Sequence, residues 1–255
     1  MGARRAQARI CAQAAGIGAC PPCGAGGYMA CLAAVFTSVW GYGVNAAALK
    51  IINLGLPKSG TTTLGEALKQ AGLRVADWRI RPGQTENRAI VRSFVGRLMY
   101  DGYFSHGDPL ALMPEFDAFS EIDIVRNGLN LWPQTDWGLL SAIRQHHPGA
   151  RFVLTYRDAA ALSDSMARWS NLGNRRLPQN TIPGLPLGYG QTDGERIRWI
   201  EGHYAFCRQV FAGAPDFLEY DIADPAAQSQ LEAFLGLKLP WWGRANENTR
   251  KPQVD

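Results

Sequence analysis

The feature that most constrains this chain is a strand, a glycine-bounded loop and a helix in unbroken succession. Lys50-Ile51-Ile52-Asn53-Leu54 is a short apolar run closed by Gly55, the pattern of a strand buried in a parallel sheet. From Thr61 to Ala71 the spacing turns helical, with Leu64, Ala67, Leu68 and Ala71 on one face and Gly72 as the stop. The loop between them, Gly55-Leu56-Pro57-Lys58-Ser59-Gly60-Thr61-Thr62, aims backbone N–H groups and the positive end of a helix at an anion. A Walker A loop reads G-x-x-x-x-G-K-[ST], and Gly55 and Gly60 keep that spacing. Thr61, however, stands where the lysine belongs, and the lysine has moved inside the loop to Lys58. An ammonium there meets a bound phosphate from another side, and the magnesium-coupled nucleotide geometry is not reproduced. An ordinary strand-to-helix turn is the plain alternative.

Beyond the loop the chain keeps alternating. Strands are expected at Leu73–Ala76, Phe116–Ile122, Arg151–Tyr156 and Phe217–Tyr220. Helices are expected at Glu86–Met99, Trp137–Arg144, Asp158–Trp169 (with Asp158 as N-cap), Arg196–Phe211 and Ala226–Leu235. Residues 171–192 hold four glycines and three prolines with little periodicity, so they read as a long functional loop. The alternation predicts an α/β fold over residues 50–255: a single three-layer domain with a central parallel sheet and a P-loop-type strand-loop-helix. Ligands then sit at the carboxyl ends of the strands. With 46% apolar and 19% charged residues, such a core can be filled and wholesale disorder is excluded.

Charge narrows the partners. Of the formal +4, Arg4, Arg5 and Arg9 supply three positive charges within residues 1–49, which hold no acid, leaving +1 for the rest. A near-neutral body argues against nucleic acid, whose backbone demands clustered lysine and arginine. Residues 1–49 read as an Ala/Gly/Cys-rich arm, uncharged from Ile10 to Leu49 and disordered or loosely helical, of the kind a start codon called too far upstream gives. The three arginines ahead of the apolar stretch Tyr28–Val44 imitate a signal anchor, so membrane attachment through residues 28–49 is the alternative. Thr37, Ser38, Gly41, Gly43 and Asn45 interrupt that stretch, and Lys50 leads straight into a strand. Four cysteines, Cys11, Cys20, Cys23 and Cys31, lie in the arm. The pair Cys20 and Cys23 has neither the strand setting of a redox motif nor a second ligand pair for zinc. With Cys207 alone in the body, no disulfide framework is expected, which suits the cytoplasm.

The loop Leu56-Pro57-Lys58-Ser59-Gly60-Thr61-Thr62 resembles the 5′-phosphosulfate loop of sulfotransferases that use 3′-phosphoadenylyl sulfate (PAPS). Their second signature, a strand ending in arginine with a serine eight residues on, is similar to Thr155-Tyr156-Arg157-Asp158 followed by Ser165. Ser165 falls about two helical turns beyond Asp158, on the same face, so a guanidinium and a hydroxyl can grip a 3′-phosphate there. Ser163 is the alternative hydroxyl. The resemblance implies PAPS as co-substrate without a metal, Lys58 bridging the leaving oxygen, and Ser59, Gly60, Thr61, Thr62 and Thr63 lining the 5′ side. At Thr63 the chain departs from the cytosolic members, which carry a tryptophan beside the adenine.

The acceptor, a small molecule or glycan bearing a hydroxyl or amine, must lose a proton as it attacks. Cytosolic members use a histidine at the end of the third strand and Golgi-type members a glutamate. Here Phe119-Ser120-Glu121-Ile122-Asp123 ends that strand, so Glu121 is the expected base, with Asp123 behind it. His106 is a weaker candidate; His146 and His147 read as solvated and His203 as structural. Asn171–Thr192, with Arg175 and Arg176, reads as an acceptor lid, and Asn246–Pro252 resembles the basic segment that covers the 3′-phosphate. A P-loop kinase and a catalytically silent nucleotide-binding module are the rival readings.

Overall fold

The computed structural model describes residues 49–126 and 128–245. The arm as far as residue 48, with its four cysteines, and the segment Asn246–Pro252 lie outside these residues. Five strands, β1 (Ile51–Asn53), β2 (Val75–Ala76), β3 (Ala118–Phe119), β6 (Arg151–Tyr156) and β7 (Phe217–Asp221), form one parallel sheet in the order β2-β3-β1-β6-β7. Between β3 and β6 lies a separate antiparallel hairpin, β4 (Ile124–Arg126) with β5 (Leu129–Leu131), in which Ile124 faces Leu131.

The sheet is covered on both sides because its residues alternate. Ile51, Val75, Ala118 and Val153 point to one face, where they pack with α1 (Thr61–Gln70) and α6 (Ala227–Leu235). Ile52, Ala76, Phe119, Phe152 and Leu154 point to the other. There they meet α2 (Val95–His106), α3 (Trp137–His146), α4 (Ala159–Arg168) and α5 (Asp193–Val210). A period of two along each strand thus builds three layers. Asp136 caps α3, Asp158 caps α4, and Thr192 with Glu195 forms a capping box on α5. No helix among the described residues is long and apolar enough to cross a membrane.

Three elements differ from expectation. The helix foreseen over Glu86–Met99 begins only at Val95. Residues 78–80 are instead extended and pair with 92–95, through Ile80 N to Ser93 O, Arg92 N to Ile80 O and Val95 N to Trp78 O. Ile90 is buried all the same, so its apolar spacing marked the core rather than a helix. The third strand ends at Phe119 instead of Ile122, since the Asn53 side-chain amide takes the Ser120 carbonyl at 2.7 Å. Within 171–192, Leu172–Arg176 is a π-helical turn, and Leu172, Leu177, Ile182 and Leu185 are buried.

Candidate active site

The phosphate loop leaves β1, the middle strand, so the loops that follow β3 and β6 flank it on either side. A buried relay sets its shape. Asn53 Oδ1 accepts from Gly55 N at 3.0 Å and from Thr155 Oγ1 at 3.3 Å, and Thr155 Oγ1 lies 2.6 Å from Ser59 Oγ. Because Thr155 donates to Asn53, Ser59 donates to Thr155, and every member is satisfied without water. Gly55 has to be glycine: a Cβ there would lie 1.7 Å from Thr155 Oγ1. At Gly60, φ is 117°, and Ile222 fills the space a side chain would need.

The helix entered at Gly60 has no side-chain cap and no acid in its first turn. Its first N–H groups and positive dipole end therefore open onto a cleft of about 1850 Å³ that is also lined by Lys58, Glu121, Arg157 and Ser165. Lys58 adopts φ 72° within the loop. Its carbonyl accepts from Arg157 Nη1 at 3.1 Å, and its ammonium lies 3.4 Å from the centre of the Trp169 ring. Burial pulls its pKa down to about 8, with Glu121 raising it and Arg157 lowering it further.

On the other side, Thr61 Oγ1 donates to Glu121 Oε2 at 2.8 Å. Burial first, and then the charge of Asp77, push Glu121 up to about 7, against the pull of Thr61, Lys58 and Arg176. Asp123 is buried and receives Gln134 Nε2 at 2.9 Å; burial and the neighbouring Glu121 hold it well above the usual carboxylate range. The two carboxyl groups are therefore unequal. Glu121 changes charge near neutrality, while burial and the neighbouring Glu121 both favour the neutral form of Asp123.

The structure sorts the remaining candidates. Ser59, Gly60, Thr61, Thr62 and Thr63 all line the cleft. Ser163 is bound to Asp193 Oδ1 at 2.8 Å and to Arg196 Nε at 2.9 Å, away from the cleft that Ser165 lines. His106 is exposed at the end of α2, outside the cleft. His147, expected in solvent, pairs with Asp108 at 3.0 Å, and His203 holds the Leu54 carbonyl at 2.7 Å. Of the loop arginines, Arg176 lines the cleft and Arg175 does not.

Sequence reasoning missed Asn53, Thr155 and Trp169 as parts of the site. A lone Asn in an apolar strand was the one available signal, since buried polar groups need partners. It also missed Trp242, which lines the cleft beside Thr62, Thr63 and Ile222.

Fold and cleft together define a parallel α/β protein that gathers an uncapped helix end, a half-buried lysine and a carboxyl group shifted toward neutrality beyond the carboxyl ends of its central strands. Residues 50–186, just over half of the chain, match the family model for the sulfotransferase domain. The chain belongs to that family, whose general chemistry is sulfuryl transfer. No curated protein matches it.

Proposed function

We propose that this chain transfers a sulfuryl group from PAPS to a hydroxyl or amine acceptor, a small molecule or glycan rather than a nucleic acid. One observation carries the reading: Lys58, the uncapped start of α1 and Glu121 meet in one cleft with Arg157 and Ser165. A sulfuryl group needs in-line placement and charge stabilisation more than covalent help. It bears less charge than a phosphoryl group, so lysine, hydroxyls and backbone amides suffice without a metal. Lys58, protonated, faces the oxygen that departs with the 5′-phosphate. The N–H groups of Gly60 to Thr63 and the hydroxyls of Thr62 and Thr63 hold that phosphate, and Arg157 with Ser165 holds the 3′-phosphate. Trp242 and Ile222 supply an apolar wall for the base, in place of the tryptophan absent at Thr63.

Glu121 accepts the acceptor's proton. A carboxylate that ionises near neutrality combines availability with driving force, which favours it over Asp123, which is buried and tied to Gln134. We place the enzyme in a reducing compartment, the cytoplasm, on the strength of its single body cysteine, Cys207, which is buried and unpaired.

The test is a transfer assay that follows adenosine 3′,5′-bisphosphate release from PAPS over hydroxyl and amine acceptors, with ATP as a parallel donor. Acceptor-dependent bisphosphate release and no phosphoryl transfer from ATP are expected. Metal-dependent phosphoryl transfer from ATP, with PAPS inert, would replace this reading with the kinase.

A further inference from the structure

Beyond Glu121 the cleft is built of parts that the transfer chemistry leaves unused. Trp78 and Phe94 stack there with ring centres 5.8 Å apart and planes 24° from parallel. The pairing of residues 78–80 with 92–95 holds them together. Arg126, exposed at the tip end of β4, brings its guanidinium carbon to 5.9 Å from the Trp78 ring centre. Arg176 reaches over from the π-helical turn and donates from Nη1 to the Val125 carbonyl at 3.2 Å, the residue next to Arg126. Its Nε is buried and has no partner. Among the described residues neither arginine has a carboxylate within ion-pair distance.

Two guanidiniums side by side, one half-buried with an unmet donor, are unfavourable until an anion arrives. Burial, and then the charge of Arg126, hold the Arg176 pKa below its ordinary value. Glu121 and Asp123 oppose that effect from a distance, but neither comes within ion-pair reach of either guanidinium. The positive charge is therefore left for a ligand. Beside it lies a flat aromatic stack, the surface on which a ring packs. Glu121 stands between the two halves of the cleft, bonded to Thr61 on the loop side and influenced by Asp77, the neighbour of Trp78, on the other.

We propose that the acceptor is a ring-bearing acid, whose anionic group is held by Arg126 and Arg176 while its ring lies against Trp78 and its hydroxyl or amine faces Glu121. This rests on the sulfuryl-transfer reading above. Aromatic acids and uronate sugars share the chemistry, and matched pairs separate them: 4-hydroxyphenylacetate against its amide, and methyl glucuronide against methyl glucoside. Each is measured as kcat/KM with PAPS and, by calorimetry, as affinity for the protein loaded with adenosine 3′,5′-bisphosphate.

The acid of at least one pair should be preferred about tenfold or more by both readouts, as expected for a charge-assisted contact. Arg126→Gln, at an exposed position that does not endanger folding, should bring the acid down to its neutral counterpart. Neutral members equal to or better than their acids, or a preference that survives Arg126→Gln, would overturn the proposal while bisphosphate binding upheld the transfer reading. Failure to bind the bisphosphate would remove both.

Discussion

At Lys58 the backbone sits in the left-handed region, φ 72°, a conformation that costs a non-glycine residue on the order of 1–3 kcal/mol and persists only where its surroundings impose it. Arg157 binds its carbonyl and Trp169 receives its ammonium, so the strain serves to aim a single charge. Replacing Lys58 by alanine keeps the relay below it and removes only the charge. We expect sulfuryl transfer to fall by roughly 10²–10³ with the thermal transition unchanged, as for a lost transition-state contact; activity within a few-fold of wild type would take Lys58 out of the mechanism. The ionisation of the two key groups sets a pH profile. Glu121 acts as a base only when ionised, so kcat/KM should rise as pH passes about 7. Lys58 acts only when protonated, so it should fall as pH passes about 8. A narrow bell is expected, and Glu121→Gln should abolish its rising limb along with most of the rate. A rising limb that persists in that variant would assign the base elsewhere.

Within α4, Ser163 and Ser165 illustrate how two hydroxyls, two residues apart and so on different sides of the helix, take different tasks. Ser163 lies in a buried network with Asp193 and Arg196, while Ser165 lines the cleft. Ser163→Ala should lower unfolding stability by about 1–3 kcal/mol, the range for buried polar groups left without a partner, and spare nucleotide affinity. Ser165→Ala should do the reverse, weakening adenosine 3′,5′-bisphosphate about tenfold at unchanged stability. Denaturant unfolding and calorimetry on both variants decide it, and equal effects on stability would cancel the distinction. The same helix was legible in the sequence from its N-cap Asp158 and apolar face, because both signals are local. The helix expected over Glu86–Met99 was misplaced because its apolar residues answer to a distant partner, the 78–80 segment, which period alone does not reveal. Likewise, Phe116–Ile122 was too long a strand because a side chain from β1, Asn53, ends it.

Across the molecule, the places of the loop, Arg157 and Glu121 in the cleft could be read in the sequence, since each lies at or just beyond the end of a strand. Their neighbours could not: Asn53, Thr155, Trp169 and Trp242 join the site only once the order β2-β3-β1-β6-β7 places three strand ends together. The positive charge that the cleft offers comes from side chains and a helix end, and the loop lacks the G-K-[ST] geometry for magnesium. Transfer should therefore continue in EDTA, and complete loss restored by added metal would contradict that. The central claim concerns the donor, and the 3′-phosphate distinguishes it from other nucleotides. Calorimetry of adenosine 3′,5′-bisphosphate and AMP on wild type and Arg157→Ala tests it most directly. One or two charge-assisted hydrogen bonds, at roughly 1.5–3 kcal/mol each, predict at least about tenfold tighter binding of the bisphosphate to wild type. Arg157→Ala should erase most of that preference. Equal affinity of wild type for the two nucleotides would contradict the assignment of Arg157 and, with it, the use of PAPS.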